Sequence, residues 1–236
     1  GGPDSLALML LSNEYANHLD LKMTVICIDH NLRKNSSSEV KWVRSLAMKL
    51  GAHFITAKIP KNNLKSNLMS YARDVRYKEL YKICSRKKIK TLLTAHHLDD
   101  EIENFLMRLV RGSGIKGLSS LKEKSMVNNN KLQLLRPLLR YPKKSLIKYL
   151  SSKKQTYVCD PTNKDFTFDR SRIRQLSETL IKEGLSKNRF SAVIKNLKNA
   201  NEAVDELISI YIPKIFTFRD KSKIQINLNK FYQSSE

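Results

Sequence analysis

Cysteine, glycine, acid and long apolar runs are all scarce in these 236 residues, and each shortage excludes something. Three cysteines, Cys27, Cys84 and Cys159, stand far apart. They form no C-x-x-C, no zinc spacing and no even framework, so a disulfide scaffold and a structural zinc site are excluded. A reducing cytoplasm is the expected compartment. No apolar run approaches the roughly 20 residues of a membrane span, and no basic segment with an apolar core marks a signal peptide. Glycine occurs only seven times. Two glycines open the chain, three stand at 112, 114 and 117, and Gly51 and Gly184 fall where helices are expected to end. Asp and Glu number 22 against 44 Lys and Arg, a net charge of +22. The excess is spread along the chain: 22 basic and 12 acidic residues up to position 130, then 22 and 10. A polyanionic partner such as nucleic acid accounts for this charge. So does a composition rich in lysine and asparagine, in which lysine outnumbers arginine 30 to 14.

What is present organises as alternating elements. Apolar residues make up 41% of the chain, enough for a core. The length suits one ordinary domain and a smaller piece. Helical spacing over 4–18 is followed by the β-branched run Met23-Thr-Val-Ile-Cys-Ile28, then by a helix over 36–50 that Gly51 is placed to stop. A strand over 53–59, a long helix over 64–86, a strand over 91–94 and a helix over 99–111 follow. Strand and helix alternate from the start, so the expected fold is α/β, a parallel sheet with helices on both faces. After Gly117 the pattern changes. Met126-Val127 and Leu132–Leu135 flank Asn128-Asn129-Asn130 as a hairpin. Helices are expected over 142–150, 168–181 and 187–212, the last stopped near Pro213. A last hairpin, over 215–218 and 223–228, completes a mostly helical region.

Polar clusters gather where strands end. In open parallel sheets ligands bind beyond the carboxyl ends of the strands. Gly1-Gly2-Pro3-Asp4-Ser5 opens the first helix, where glycines admit a ligand and helix N–H groups hold phosphate. The plain alternative is a capped helix start, with Asp4 or Ser5 as the cap. The second cluster is Asp29-His30-Asn31-Leu32-Arg33. The third runs from Thr94 through His96-His97-Leu98-Asp99-Asp100 to Glu103-Asn104. Asp100 and Glu103 are three apart on a first helical turn, hence on one face. Such a pair holds Mg²⁺ or grips an ammonium group, or it is a capping arrangement favoured by the helix dipole. His96 and His97 are metal ligands or strand-end hydrogen-bonding groups. Arg111-Gly112-Ser113-Gly114 is a phosphate-facing loop, a helix C-cap, or both.

The opening loop resembles the last five residues of the S-G-G-x-D-S loop of the PP-loop ATP-pyrophosphatases. With Asp29–Arg33, Ala95–Glu103, Arg111–Gly114, Ala72-Arg73-Asp74-Val75-Arg76-Tyr77, Arg136-Pro137-Leu138-Leu139 and Asp160–Asp165 followed by Arg170 and Arg174, the chain resembles the tRNA(Ile)-lysidine synthetases. The likeness covers residues 1 to about 176. Ser171 stands where that family usually has asparagine. The family pattern's leading serine and first strand precede Gly1, so a fragment or a miscalled start is expected.

The resemblance implies a PP-loop ATP-binding catalytic domain over 1–185, then a helical linker and the start of a tRNA-binding domain over 186–236. It implies a ligase that uses ATP and Mg²⁺ to join L-lysine to the wobble cytidine of the isoleucine tRNA with a CAU anticodon. Gly1, Gly2, Asp4 and Ser5, with Asp29, His30, Arg111 and Gly112, would bind the nucleotide. Asp4 and Asp100 would hold the metal. Asp4, Asp100, Glu103 and Arg170 would serve the chemistry, with Glu103 and Asp100 facing the lysine. Oligomeric state is left open, a homodimer being one reading. The alternatives are another PP-loop tRNA-modifying enzyme, such as a thiolase, or an inactive RNA-binding remnant.

Overall fold

The computed structural model describes residues 1–29, 36–58, 68–119, 121–158, 169–218 and 224–233. His30, Asn31–Arg33, Cys159 and Asp160–Asp165 lie outside these residues. Residues 1–101 and 122–172 form one compact unit, and residues 102–121 and 173–236 form a second.

The first unit begins with helix α1 (Pro3–His18), strand β1 (Thr24–Asp29), helix α2 (Ser36–Lys49) and strand β2 (His53–Lys58). β1 and β2 run parallel, from Thr24 beside His53 to Asp29 beside Lys58. Helix α3 (Leu68–Arg86) leads to β3 (Thr91–Leu93) and the start of helix α4 (Leu98–Val110). Strands β4 (Lys124–Val127) and β5 (Leu132–Leu135) form the expected hairpin. Its turn works because asparagine tolerates the left-handed region: Asn128, Asn129 and Asn130 have φ of 54°, 53° and 60°. The structure adds what periodicity does not show. β5 also pairs parallel with β3, giving a three-stranded sheet in the order β3-β5-β4. Helix α6 (Lys143–Ser152) follows.

The alternation of side chains along β1 divides the core between two faces. Val25 packs with Leu6, Ala7 and Met9 of α1, Ala47 of α2, and Leu146 and Leu150 of α6. Ile26 and Ile28, pointing the other way, pack with Leu80 and Cys84 of α3, Leu92 of β3, and Leu132 and Leu134 of β5. Helices therefore cover both faces, as the strand–helix alternation requires. Gly51 ends α2 in a left-handed turn at φ +73°. There Gly51 N–H donates to Met48 O at 3.0 Å and Ala52 N–H to Ala47 O at 3.0 Å. These two bonds close the last turn and fix the entry into β2.

The second unit holds the rest of α4, a short helix α5 (Ile115–Leu118) not expected from periodicity, α7 (Asp169–Lys182) from Ile173 onward and α8 (Lys187–Ile215). β6 (Phe216–Phe218) and β7 (Ile224–Ile226) form the final antiparallel hairpin, followed by α9 (Leu228–Gln233), also unforeseen. Phe105 and Phe190 meet edge to face at 6.4 Å in its core, beside the buried Ile194. α8 differs from expectation at its end: Pro213 lies inside the helix, which continues to Ile215. A proline this near the last turn removes one backbone donor without halting the chain. No helix among the described residues is long and apolar enough to cross a membrane.

Candidate functional site

α1 begins at Gly2, whose φ of −72° and ψ of 162° are those of an N-cap, and Pro3 occupies the first helical turn. No side chain caps this helix. The plain alternative of Asp4 or Ser5 as cap therefore does not hold. Pro3 enters the helix, which places both residues inside the first turn, beyond the capping position. Ser5 is exposed. The two glycines have different reasons. A Cβ on Gly1 would stand 3.1 Å from Val158 Cγ2, and Gly1 O accepts from Val158 N–H at 2.9 Å. A Cβ on Gly2 would meet nothing within 4 Å. Gly1 is a packing glycine, whereas Gly2 faces open space at a helix start, where backbone N–H groups attract anions.

Freed from capping, Asp4 turns to its tertiary neighbours. Its Oδ2 lies 3.6 Å from His97 Nε2 and 3.5 Å from Lys143 Nζ. Its Oδ1 is buried without a hydrogen-bond partner. Burial pushes the Asp4 carboxyl up, but the hydrogen bond and charge of His97, with those of Lys143, outweigh it and hold the carboxyl below its usual value. Burial likewise lowers the His97 imidazole, and the Asp4 hydrogen bond with the charges of Asp100, Asp4 and Asp99 raises it above the ordinary value.

His97 is also the cap of α4. Its backbone N–H donates to Asp100 Oδ2 at 3.0 Å, and Asp100 N–H donates to His97 Nδ1 at 3.3 Å. This is a reciprocal capping box with an imidazole in place of the usual hydroxyl. With Nδ1 accepting, the proton of the neutral ring sits on Nε2, facing Asp4 and Asp100. Asp100 Oδ2 lies 3.5 Å from that same nitrogen. The capping reading of Asp100 thus holds, and the fold also brings Asp100 and Asp4 to one imidazole edge. His96 behaves as a strand-end hydrogen-bonding group, its Nδ1 3.1 Å from Thr94 Oγ1. Asp29 is buried at the end of β1.

Asp99 has a separate task. α6 starts at Pro142, which offers no side-chain cap. The Lys143 N–H instead donates to Asp99 Oδ2 at 2.8 Å, from 44 positions earlier in the chain. Leu98 N–H donates to Tyr141 O at 3.0 Å. These bonds join the starts of α4 and α6 and deliver Lys143 to Asp4. The sequence places Asp99 only within its cluster and does not single out Lys143. The available signal is a helix opening on two lysines without an acid in its first turn, contrary to the helix dipole.

Among the described residues, no three His, Cys, Asp or Glu side chains form a ready-made metal cluster. The donors present are hard carboxylate oxygens, one of them buried and unpartnered. That set fits Mg²⁺, which uses one or two carboxylates and takes its remaining ligands from water and substrate phosphates.

The remaining predicted residues belong to the second unit or lie at its border. Glu103 is 7% exposed and is gripped by Arg174, whose Nε donates to Oε1 and whose Nη2 donates to Oε2 at 3.3 Å. Its counter-ion in this structure is therefore a bidentate guanidinium. Gly112, at φ +70°, closes α4: Gly112 N–H donates to Leu109 O at 2.9 Å and Ser113 N–H to Arg108 O at 3.0 Å. The C-cap reading of Arg111-Gly112 holds. Arg170 lies in the first turn of α7.

The PP-loop domain pattern matches residues 1–180 of this chain. The chain belongs to the PP-loop family. A PP-loop domain implies ATP binding. The PP-loop chain is similar to proteins named tRNA(Ile)-lysidine synthase. It is 33% identical to that of Wolbachia pipientis wMel over 238 residues, covering 100% of this chain and 55% of the relative. It is 40% identical to that of Rickettsia bellii (strain OSU 85-389) over 176 residues, covering 74% and 40%. It is 38% identical to that of Bradyrhizobium diazoefficiens over 209 residues, covering 88% and 57%. The chain thus spans about half the length of the curated relatives it matches. Among solved structures, the U34-tRNA thiolase NcsA of Methanococcus maripaludis, described with its [4Fe-4S] cluster, shares the fold with a TM-score of 0.70 at 20% identity, over 84% of this chain and 70% of that one.

Proposed function

We propose that this PP-loop protein activates the wobble cytidine of the isoleucine tRNA with ATP and joins lysine to it. The observation that carries the reading is the convergence of Asp4 and Asp100 at the edge of His97, with Lys143 against Asp4, beside the open backbone of Gly2. The relatives' names supply the substrate class. In the reaction, the C2 oxygen of the cytidine attacks the α-phosphorus and pyrophosphate leaves. The amine of L-lysine then attacks C2 and AMP leaves, taking the C2 oxygen with it.

Asp4 and Asp100 would hold Mg²⁺, which when bound neutralises charge on the transferring phosphoryl group. The chain's own residues position the reactants. Gly2 admits the phosphates to the start of α1. His97, locked by its bonds to Asp100, presents Nε2–H toward the incoming oxygens. Gly1, Ser5, Asp29, His30, Arg111 and Gly112 would be the remaining nucleotide-binding residues, and Arg170 is assigned to the tRNA substrate. The attacking amine must lose a proton, and a carboxylate of α4 or water accepts it. Glu103 would face the lysine ammonium while its carboxylate also holds its present partner Arg174. A base in an anticodon loop is splayed into such a pocket at modest cost. The excess of 22 positive charges suits the RNA backbone.

Sulfur transfer, the chemistry in the name of the NcsA relative, is the weaker reading. Cys27 and Cys84 are free thiols, and burial raises both above their ordinary value, which disfavours the thiolate. The test is incubation of the chain with ATP, labelled lysine and an unmodified tRNA bearing CAU. Label entering the RNA, with one AMP and one pyrophosphate released per lysine, supports the proposal. ATP cleavage without lysine incorporation points to another PP-loop reaction. Tight RNA binding without ATP cleavage identifies a remnant.

A further inference from the structure

We infer that Lys143 is a substrate-binding residue of this site, contacting the polyphosphate of ATP. The inference rests on the ATP reading of the PP-loop and adds to it a residue that no motif of the sequence contains.

Three observations carry it. The first is placement. Lys143 Nζ stands 3.5 Å from Asp4 Oδ2, the carboxylate assigned to the nucleotide, while its side chain remains 39% exposed and accessible to a ligand. The second is rigidity. The backbone of Lys143 is tied to Asp99 at 2.8 Å, and the nearby Tyr141 accepts from Leu98 at 3.0 Å. Leu146 and Leu150 then anchor the same helix in the core. The lysine stem therefore rises from a fixed point. The third is charge balance. Asp4, Asp99 and Asp100 all lie within 4 Å of the His97 ring. A triphosphate brought against three carboxylates is repelled unless cations stand between them. A metal supplies part of that charge, and Lys143 is a lysine the fold brings against Asp4.

Its position in α6 fits this role. A cation at the first residue of a helix opposes the dipole, and α6 has no acid in its own first turn, so the offset comes from the Asp99 carboxylate that caps it. A local rule broken and repaired only by a distant residue is common at functional positions. In the nucleotide-free protein Asp4 is the counter-ion. When phosphate arrives, the flexible ammonium moves to the phosphate oxygens, and Asp4 is released toward the metal.

Two measurements test this. The first compares the dissociation constants of Mg-ATP and adenosine for the unmodified chain, Lys143→Met and Lys143→Arg. Removing one charge-assisted hydrogen bond to a phosphate predicts weaker Mg-ATP binding by about tenfold to a hundredfold in Lys143→Met. Lys143→Arg should retain most of the affinity, and adenosine should bind all three alike. The second uses adenosine triphosphopyridoxal, whose aldehyde condenses with a lysine amine, losing water, to an imine that borohydride reduces. Peptide mapping should place the ATP-protected label on Lys143. Unchanged Mg-ATP affinity in Lys143→Met, an equal loss for adenosine, or an ATP-protected label confined to other lysines overturns the inference. Failure of the unmodified chain to bind ATP overturns the site reading itself, and this inference with it.

Discussion

Replacing Asp4 with asparagine should separate the chemistry of this site from its stability. The substitution keeps the side-chain shape and removes one negative charge. In the folded chain that charge faces His97 at 3.6 Å and Lys143 at 3.5 Å. The Lys143 side chain is 39% exposed, so its ion pair is worth only about 0.2–1 kcal/mol after screening. The His97 interaction is better shielded, with that side chain 5% exposed, but the amide of asparagine still offers a hydrogen-bond acceptor and escapes the desolvation that opposes the carboxylate. The net loss of stability should be about 1 kcal/mol, a fall in melting temperature of about 2–4 °C for a chain of this size. ATP-dependent adenylation of the tRNA should fall by more than about a hundredfold, because electrostatic positioning supplies most of phosphoryl-transfer catalysis. The His97 Cε1–H resonance, followed by NMR through a pH titration, should shift its midpoint down, since one nearby opposite charge is gone.

The sign of the pH effect follows from the two directions. Asp4 is held below 3.8, so its contribution is present above that pH and lost as pH falls through the folded value. His97 is held above 6.5, so its contribution is complete below that pH and lost as pH rises through the folded value. The pair stabilises most between these limits, and Asp4→Asn should lower that plateau and flatten the falls below 3.8 and above 6.5. Near-normal adenylation, or a melting temperature lowered by tens of degrees, would refute the reasoning.

Glu103→Gln should raise the KM for lysine more than that for ATP, and equal rises in a steady-state assay would assign Glu103 to holding Arg174 instead. Asp99→Ala should cost about 1 kcal/mol in urea unfolding by uncapping α6, whereas Asp99→Asn, which keeps an acceptor for Lys143 N–H, should cost much less. Binding of tRNA should weaken steeply between low and moderate salt in filter-binding assays, as counterion release requires of a chain with net charge +22. A flat salt response would remove the backbone-contact explanation of that charge.

Much of this protein is written in local signals, and they are legible because their physics is local. The β-branched run ending at Ile28, the left-handed stops at Gly51 and Gly112, and the asparagine turn at 128–130 each act over a few residues. Alternation of strand and helix then leaves few arrangements other than a parallel sheet covered on both faces. The candidate residues Asp4 and Asp100 were legible for the same reason, as acids beside helix starts. What they touch was not. The partners of Asp4 come from positions 97 and 143, and the cap of α6 comes from Asp99, and no periodicity links residues so far apart. The sequence by itself determined the elements, their order and the acids at their ends. Only the tertiary structure decided that a histidine caps α4 while facing Asp4, that Glu103 is already paired with Arg174, and that Lys143 stands beside Asp4. Ion pairs and caps between distant segments depend on how packed helices bring their ends together, and the core made by Leu6, Ala47, Leu146 and Leu150 sets that geometry.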